Sequence, residues 1–140
     1  RIGIGSQALG IGRAALKEAA RYMEERTAFG KQLSRHQALQ FMVADMGTEL
    51  EATRLFMLKA ASLRDQGQPM SLAASMCKVY ASEACGRAVD AALQIHGGYG
   101  YVQDYAIERL YRDARVTRIY EGTSEIQRVV ISRELLKGQV

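Results

Sequence analysis

The chain has 140 residues, 48% hydrophobic and 24% charged, enough to bury one ordinary core and too few for two. Nineteen Lys and Arg against fifteen Asp and Glu give a formal charge of +4. The two signs are interspersed with no run of five, which argues against nucleic acid as the partner. A single proline, Pro69, among thirteen glycines means that secondary structure is punctuated mainly by glycine, which favours helices over many short strands.

The first helix is predicted from Arg1 to about Glu25, where Leu9, Leu16, Ala19, Ala20 and Met23 recur at three and four. Gly3, Gly5, Gly10 and Gly12 each cost helix propensity of up to ~1 kcal/mol, so they mark close approach of another element or a ligand. Arg26 to Arg35 breaks the period. It resumes from His36 to Asp65 through Leu39, Met42, Val43, Met46, Leu50, Thr53 and Met57. A turn around Gly67 and Pro69 leads to a third helix, with Ser71 as its N-cap and Leu72, Met76, Tyr80, Ala84, Ala91 and Ile95 on one face. Gly97 and Gly98 end it, and Gly97 to Tyr101 reads as a loop. A short helix follows with Ile107, Leu110, Tyr111 and Ala114, then a last one with Ile126, Val129, Val130, Arg133 and Leu136. No convincing period-2 strand intervenes. The expected architecture is all-α, an up-and-down bundle of four-helix type with additional short C-terminal helices.

Several features carry chemistry or exclude it. Cys77 and Cys85 form neither a Cys-x-x-Cys nor a Cys-x-x-His arrangement, so buried or half-buried free thiols are expected and no metal site. No apolar stretch approaches the ~18 residues of a membrane span, and no signal peptide opens the chain. Arg109, Arg112, Arg115 and Arg118 recur at three-residue intervals. That is the pattern of a solvated helix face, with a CoA or dinucleotide phosphate as the alternative partner. Gly97-Gly98-Tyr99-Gly100 is glycine-rich enough to approach a phosphate, but it follows a helix and fails the context of a dinucleotide fingerprint. Glu121, beside Gly122 and just before Thr123 or Ser124 as cap of the last helix, stands where a carboxylate feels the positive end of a helix dipole and reads by position as an exposed capping residue. His36 and His96 read as polar loop or helix-end residues, and no nucleophile stands at suggestive spacing to either.

Taken in order, these pieces resemble the carboxy-terminal domain of acyl-CoA dehydrogenases along nearly the whole chain. The resemblance is carried by Arg1-Ile2-Gly3, Ser6-Gln7-Ala8-Leu9-Gly10, Arg26 with Phe29-Gly30, Gln37, Ala44-Asp45-Met46, Gln94-Ile95-His96-Gly97-Gly98-Tyr99-Gly100, Arg112-Asp113-Ala114-Arg115 and Ile119-Tyr120-Glu121-Gly122-Thr123-Ser124-Glu125-Ile126-Gln127. The final stretch is most like the short-chain and short branched-chain members. The resemblance implies FAD as cofactor and Glu121 as the base that takes the α-proton of an acyl-CoA while the β-hydride passes to the flavin, giving a trans-2-enoyl-CoA. It implies flavin contacts at Arg26, Phe29, Gln37, Gln94, Ile95, His96, Gly97, Gly98, Thr123, Ser124 and Glu125, several of them to the flavin of a neighbouring subunit. It implies substrate-side positions at Arg1 and Gly122.

An electron-transferring flavoprotein is the acceptor so implied, and the assembly a homodimer or homotetramer, cytoplasmic in a bacterium and in the mitochondrial matrix of a eukaryote. The family's amino-terminal helical domain and middle β-domain have no counterpart in residues 1–140, a single domain that is expected to lack a complete site alone. The competing readings are a non-catalytic oligomerisation or interaction module of the same fold and an acyl-CoA oxidase.

Overall fold

The computed structural model describes residues 1–137. Its elements are α1 (Ile2–Glu25), β1 (Thr27–Ala28), β2 (Lys31–Gln32), α2 (Gln37–Asp65), α3 (Ser71–His96), α4 (Ala106–Val116) and α5 (Ser124–Leu136). The three long helices run within one residue of the predicted bounds, and the all-α bundle with short C-terminal helices is as expected.

Helix α3 is central and packs on α1, α2, α4 and α5. An element covered on several sides must bury most of its circumference, and close approach of several helices favours small residues. Accordingly α3 buries Ala74, Cys77, Ala81, Ala84, Cys85, Ala88 and Ala92, while the larger Leu72, Met76 and Tyr80, expected on the core face, are only half-buried. Against it, α1 presents Ala8, Leu9, Ala15, Ala19, Tyr22 and Met23. Two of the four early glycines sit at tight crossings: a Cβ on Gly5 would lie 2.9 Å from Cys77 Sγ, and one on Gly12 would lie 2.5 Å from Leu50 Cδ2. Gly3 and Gly10 have no such neighbour within 4 Å, so the inference of close approach holds for half of them.

Three local expectations are corrected. Ser71 is the first residue of α3 and not its cap: Met70 takes the cap position, and no side-chain cap bond forms there. The stretch that breaks the period is a β-hairpin, pairing Thr27 with Gln32 and Ala28 with Lys31. Its turn residues, Phe29 (φ 52°) and Gly30 (φ 80°), are both left-handed, the geometry that matches strand twist in two-residue hairpins. Gly97 to Tyr101 is a 3-10 turn, not an open loop, and it packs tightly. A Cβ on Gly100 would meet the Leu93 carbonyl oxygen at 2.7 Å and His96 Cβ at 3.0 Å. Backbone cannot step aside as a side-chain tip can, so Gly100→Ala should lower stability by ~1–3 kcal/mol. Gly10→Ala, in open space mid-helix, should raise it by ~0.5–1 kcal/mol. Urea unfolding midpoints of the two variants should therefore move in opposite directions.

Candidate functional site

Helix α4 ends where the buried Thr117 hydroxyl donates to the Ala114 carbonyl at 2.7 Å. The chain then turns back sharply into α5, with the Ser124 N–H donating to the Arg118 carbonyl at 3.0 Å. Inside this turn Glu121 (φ 56°) and Gly122 (φ 87°) are consecutive left-handed residues. Thr123 caps α5, its hydroxyl accepting from the Ile126 N–H at 3.3 Å. Glu121 is therefore not the cap, and its side chain is exposed.

The turn is clamped from three sides. Tyr120 O–H donates to Gln7 Oε1 of α1 at 2.6 Å. Gln127 Nε2 of α5 donates to the carbonyls of Glu121 and Gly122, both at 3.2 Å. Lys78 Nζ of α3 donates to the Gly122 carbonyl at 2.7 Å. Lys78 and Gln127 are 0% and 1% exposed. Burial pushes the Lys78 ammonium below the ordinary lysine range, with Glu125 and Glu121 opposing. Glu125, at the start of α5, is held below the usual carboxylate range by its own backbone N–H and the Thr123 hydroxyl. Ser124 Oγ and Gln127 Oε1 are buried without a hydrogen-bond partner, and such atoms ordinarily take one from outside the chain. Arg1 reaches the same end of the bundle, its Nη1 donating to Ser75 Oγ at 2.8 Å, one turn before Lys78.

A second group of expected site residues gathers elsewhere. The Arg26 guanidinium lies 5.2 Å from the Tyr99 ring centroid. Phe29, at the hairpin tip, is 96% exposed and edge-on to His36, whose Nε2 lies 3.1 Å from the Ala28 carbonyl oxygen. Gln37 opens α2, and exposed Gln94 accepts the Gly97 N–H. Ile95 and His96 are buried: the His96 ring stacks on Tyr22 at 4.3 Å, with Nδ1 2.7 Å from the Ala92 carbonyl oxygen. Left-handed Gly97 (φ 59°) and unobstructed Gly98 leave the backbone open to approach. An open pocket of about 460 Å³ lies here, lined by Tyr22, Arg26, Leu33, His96, Gly98 and Tyr99 among others.

The expected site residues thus form two sets, and the chain does not bring them together. Arg1, Glu121, Gly122, Thr123, Ser124 and Glu125 lie near the first half of α3, whereas Arg26, Phe29, Gln37 and Gln94 to Gly98 lie at its far end. From Lys78 to His96 the axis runs about 27 Å at 1.5 Å per residue. Cys77 and Cys85 are free and buried. Burial raises both thiols, Cys85 to about 12, as suits inert core residues. Arg109, Arg112 and Arg115 are exposed on α4, with Arg112 paired to Glu108, as anticipated for a solvated face, whereas Arg118 lies past the end of the helix and is half-buried.

These features define a helical-bundle domain with a strained, clamped carboxylate turn at one end and an arginine-rimmed pocket at the other. The family model for the acyl-CoA dehydrogenase C-terminal domain matches residues 1–136, and the chain belongs to that family. It is 54% identical over 138 residues to the mitochondrial short-chain specific acyl-CoA dehydrogenase of Bos taurus, covering 99% of this chain and 34% of that protein. It is 52% identical over 137 residues to the caffeyl-CoA reductase-Etf complex subunit CarC of Acetobacterium woodii, covering 98% and 36%. The structure of butyryl-CoA dehydrogenase from Megasphaera elsdenii superposes with a TM-score of 0.96 at 44% identity, covering 97% of this chain and 36% of that one. The chain therefore spans about a third of the length of these relatives. Neither Lys78 nor Gln127 carries a clamp signature in the sequence, where Gln127 only closes the family-like stretch that begins at Ile119. The one signal for Lys78 was a lone charge among Ala, Ser, Met and Cys in the middle of a helix.

Proposed function

We propose that the chain is the part of a flavin-dependent acyl-CoA dehydrogenase that carries the catalytic base, Glu121. The observation that carries this is the left-handed Glu121-Gly122 pair clamped by buried donors, since backbone strain held against its own cost gathers at functional sites. The carboxylate takes the α-proton of the acyl thioester, whose oxygen accepts from the Glu121 N–H. The α-proton of a thioester is far too weakly acidic for a carboxylate in water, so the site must stabilise the developing enolate and exclude solvent. Bound FAD would supply the acceptor of the β-hydride, leaving a trans-2-enoyl-CoA. Gly122 places no side chain in the way of the acyl group, and Arg1 stands at the substrate side of the same end.

The residues present fit such a cofactor. Arg26 offers a planar donor fork suited to a pyrophosphate, Gly97 and Gly98 offer bare backbone, and the orphaned Ser124 Oγ needs a polar partner. Because the two sets lie about 27 Å apart along α3, we infer that they serve two flavins: Thr123, Ser124 and Glu125 one, and Arg26, Phe29, Gln37 and Gln94 to Gly98 that of a neighbouring subunit. A homodimer or homotetramer follows, and Phe29, Phe41, Leu55 and Leu58, exposed in the single chain, supply apolar surface for it.

The same site run in reverse reduces an enoyl-CoA, with Glu121 returning the proton to the α-carbon. The likeness to a caffeyl-CoA reductase subunit favours keeping that direction beside dehydrogenation. The same relative, named as part of an Etf complex, supports an electron-transferring flavoprotein as redox partner. Among the described residues no helix is long and apolar enough to cross a membrane.

Purified full-length protein should show a flavin spectrum that bleaches anaerobically on adding a short acyl-CoA. Arg26→Ala should lower flavin affinity at least ~10-fold, through loss of a charge-assisted bond worth ~1.5–3 kcal/mol. Gly98→Ala, with no atom within 4 Å of the added methyl, should fold with parental stability yet hold flavin less tightly. Flavin-to-protein absorbance after gel filtration checks both, and parental occupancy in both would remove this pocket from the flavin site.

A further inference from the structure

We propose that Lys78 is the positioning residue of the base turn, its buried ammonium holding the Gly122 carbonyl so that Glu121 keeps its left-handed backbone and faces the substrate. This rests on Glu121 being the base. Lysine is almost never fully buried without a partner, and Lys78 has no exposure at all. A methionine would fill the same space without desolvating a charge, and such replacements of buried ionic groups are often neutral or stabilising. Packing alone therefore does not account for an ammonium here.

What it adds is one strong bond to a carbonyl 44 positions away, and that carbonyl closes the peptide unit after two consecutive residues at positive φ. For Glu121, which has a Cβ, this backbone is intrinsically disfavoured and persists only where its surroundings over-determine it. The surroundings are few and identifiable. Tyr120 is tied to Gln7, Ser124 N–H closes the neck on Arg118, and Gln127 and Lys78 hold the two carbonyls. Lys78 alone among these brings a charge, and it reaches from the central helix, which packs on four others. The carboxylates nearest in effect to it are Glu121 and Glu125, on either side of Gly122. A charge-assisted bond is shorter and stronger than a neutral one, as the 2.7 Å from Lys78 against 3.2 Å from Gln127 illustrates.

The test uses the full-length, flavin-loaded enzyme with Lys78→Met, which keeps volume and removes donor and charge, and Lys78→Arg, which keeps both. Amide hydrogen exchange across residues 117–127, read by mass spectrometry, reports the turn without reference to activity. Lys78→Met should exchange the Ser124 amide and its neighbours ~10-fold faster as the turn opens more often. Its saturating rate of flavin reduction should fall at least ~10-fold while half-saturation by substrate stays within ~3-fold, because geometry and not binding is lost. Flavin content and thermal midpoint should stay parental, and Lys78→Arg should recover most of both losses. Parental exchange and rate in Lys78→Met would overturn the proposal. So would a rate loss that only tracks a lower thermal midpoint or lost flavin. Glu121→Gln, measured in parallel, separates the two layers: if it reduces flavin at the parental rate the base assignment fails, and the exchange data still report whether Lys78 holds the turn.

Discussion

Glu121→Gln in the full-length enzyme should bind flavin and acyl-CoA normally and lose at least ~10²-fold in the rate of flavin reduction, the scale expected for a missing general base. The substitution keeps size and can keep the left-handed backbone, and Glu121 is exposed and caps nothing in this chain, so thermal stability should hardly move. Had Glu121 served as a helix cap, the reverse pattern would hold, with stability down by about 1 kcal/mol or less and the rate nearly intact. The structure assigns that capping role to Thr123, so Thr123→Ala should cost ~1 kcal/mol of stability while retaining the base; because Thr123 also belongs to the flavin set, its rate is read on flavin-loaded enzyme. Anaerobic stopped-flow reduction by saturating acyl-CoA separates the cases. A rate within a few-fold of the parent would remove Glu121 as the base and point to a carboxylate in the two thirds of the relatives' length that this chain does not span.

The helices were legible because their apolar residues recur with a period that only a helix satisfies, and glycines mark where they stop. The hairpin was not. Its strands are two residues each, too short to display alternation, and its turn is Phe29-Gly30 in place of the Asn-Gly or Asp-Gly that signals such turns. The buried face of α3 departs from the sequence pattern for a related reason. Large apolar residues ordinarily mark the core, yet a helix wrapped by four others places Ala74, Cys77, Ala81 and Cys85 at its contacts and leaves Met76 and Tyr80 at the margin.

The site divided in the same way. Glu121 and its neighbours are legible as an ordered motif resembling a known family, not from position or periodicity, which point to a capping residue. That the expected residues sort to two ends of α3 follows from helix geometry once the flanking elements are fixed, and no local pattern announces it. Lys78 and Gln127 act through carbonyls at long or irregular sequence separation, and a side chain bonded to backbone leaves no residue-type signature at its partner.

The turn's dependence on its clamps makes Gly122→Ala the substitution with the broadest expected effect. At φ 87° any residue with a Cβ is strained, and here the added methyl would also run into Gln127 Nε2. Gln127 must then release the Glu121 and Gly122 carbonyls or the turn must shift away from it, and either response moves the base and loosens the acceptor of Lys78. Stability should fall by ~1–3 kcal/mol, the cost of a residue forced into a rare backbone region. Saturating flavin reduction should fall ~10²-fold, since a displacement of about 1 Å at a reacting group has that effect. Gly30→Ala provides the contrast. It meets the same backbone penalty at φ 80° with nothing within 4 Å of the new methyl, so it should lose about 1 kcal/mol of stability and keep the reduction rate of flavin-loaded enzyme within a few-fold. Thermal midpoints and stopped-flow rates on the two variants decide the matter. Equal rate losses in both would mean that backbone strain anywhere in the fold disables the enzyme, and a parental rate in Gly122→Ala would show that the clamped turn does not set the position of the base.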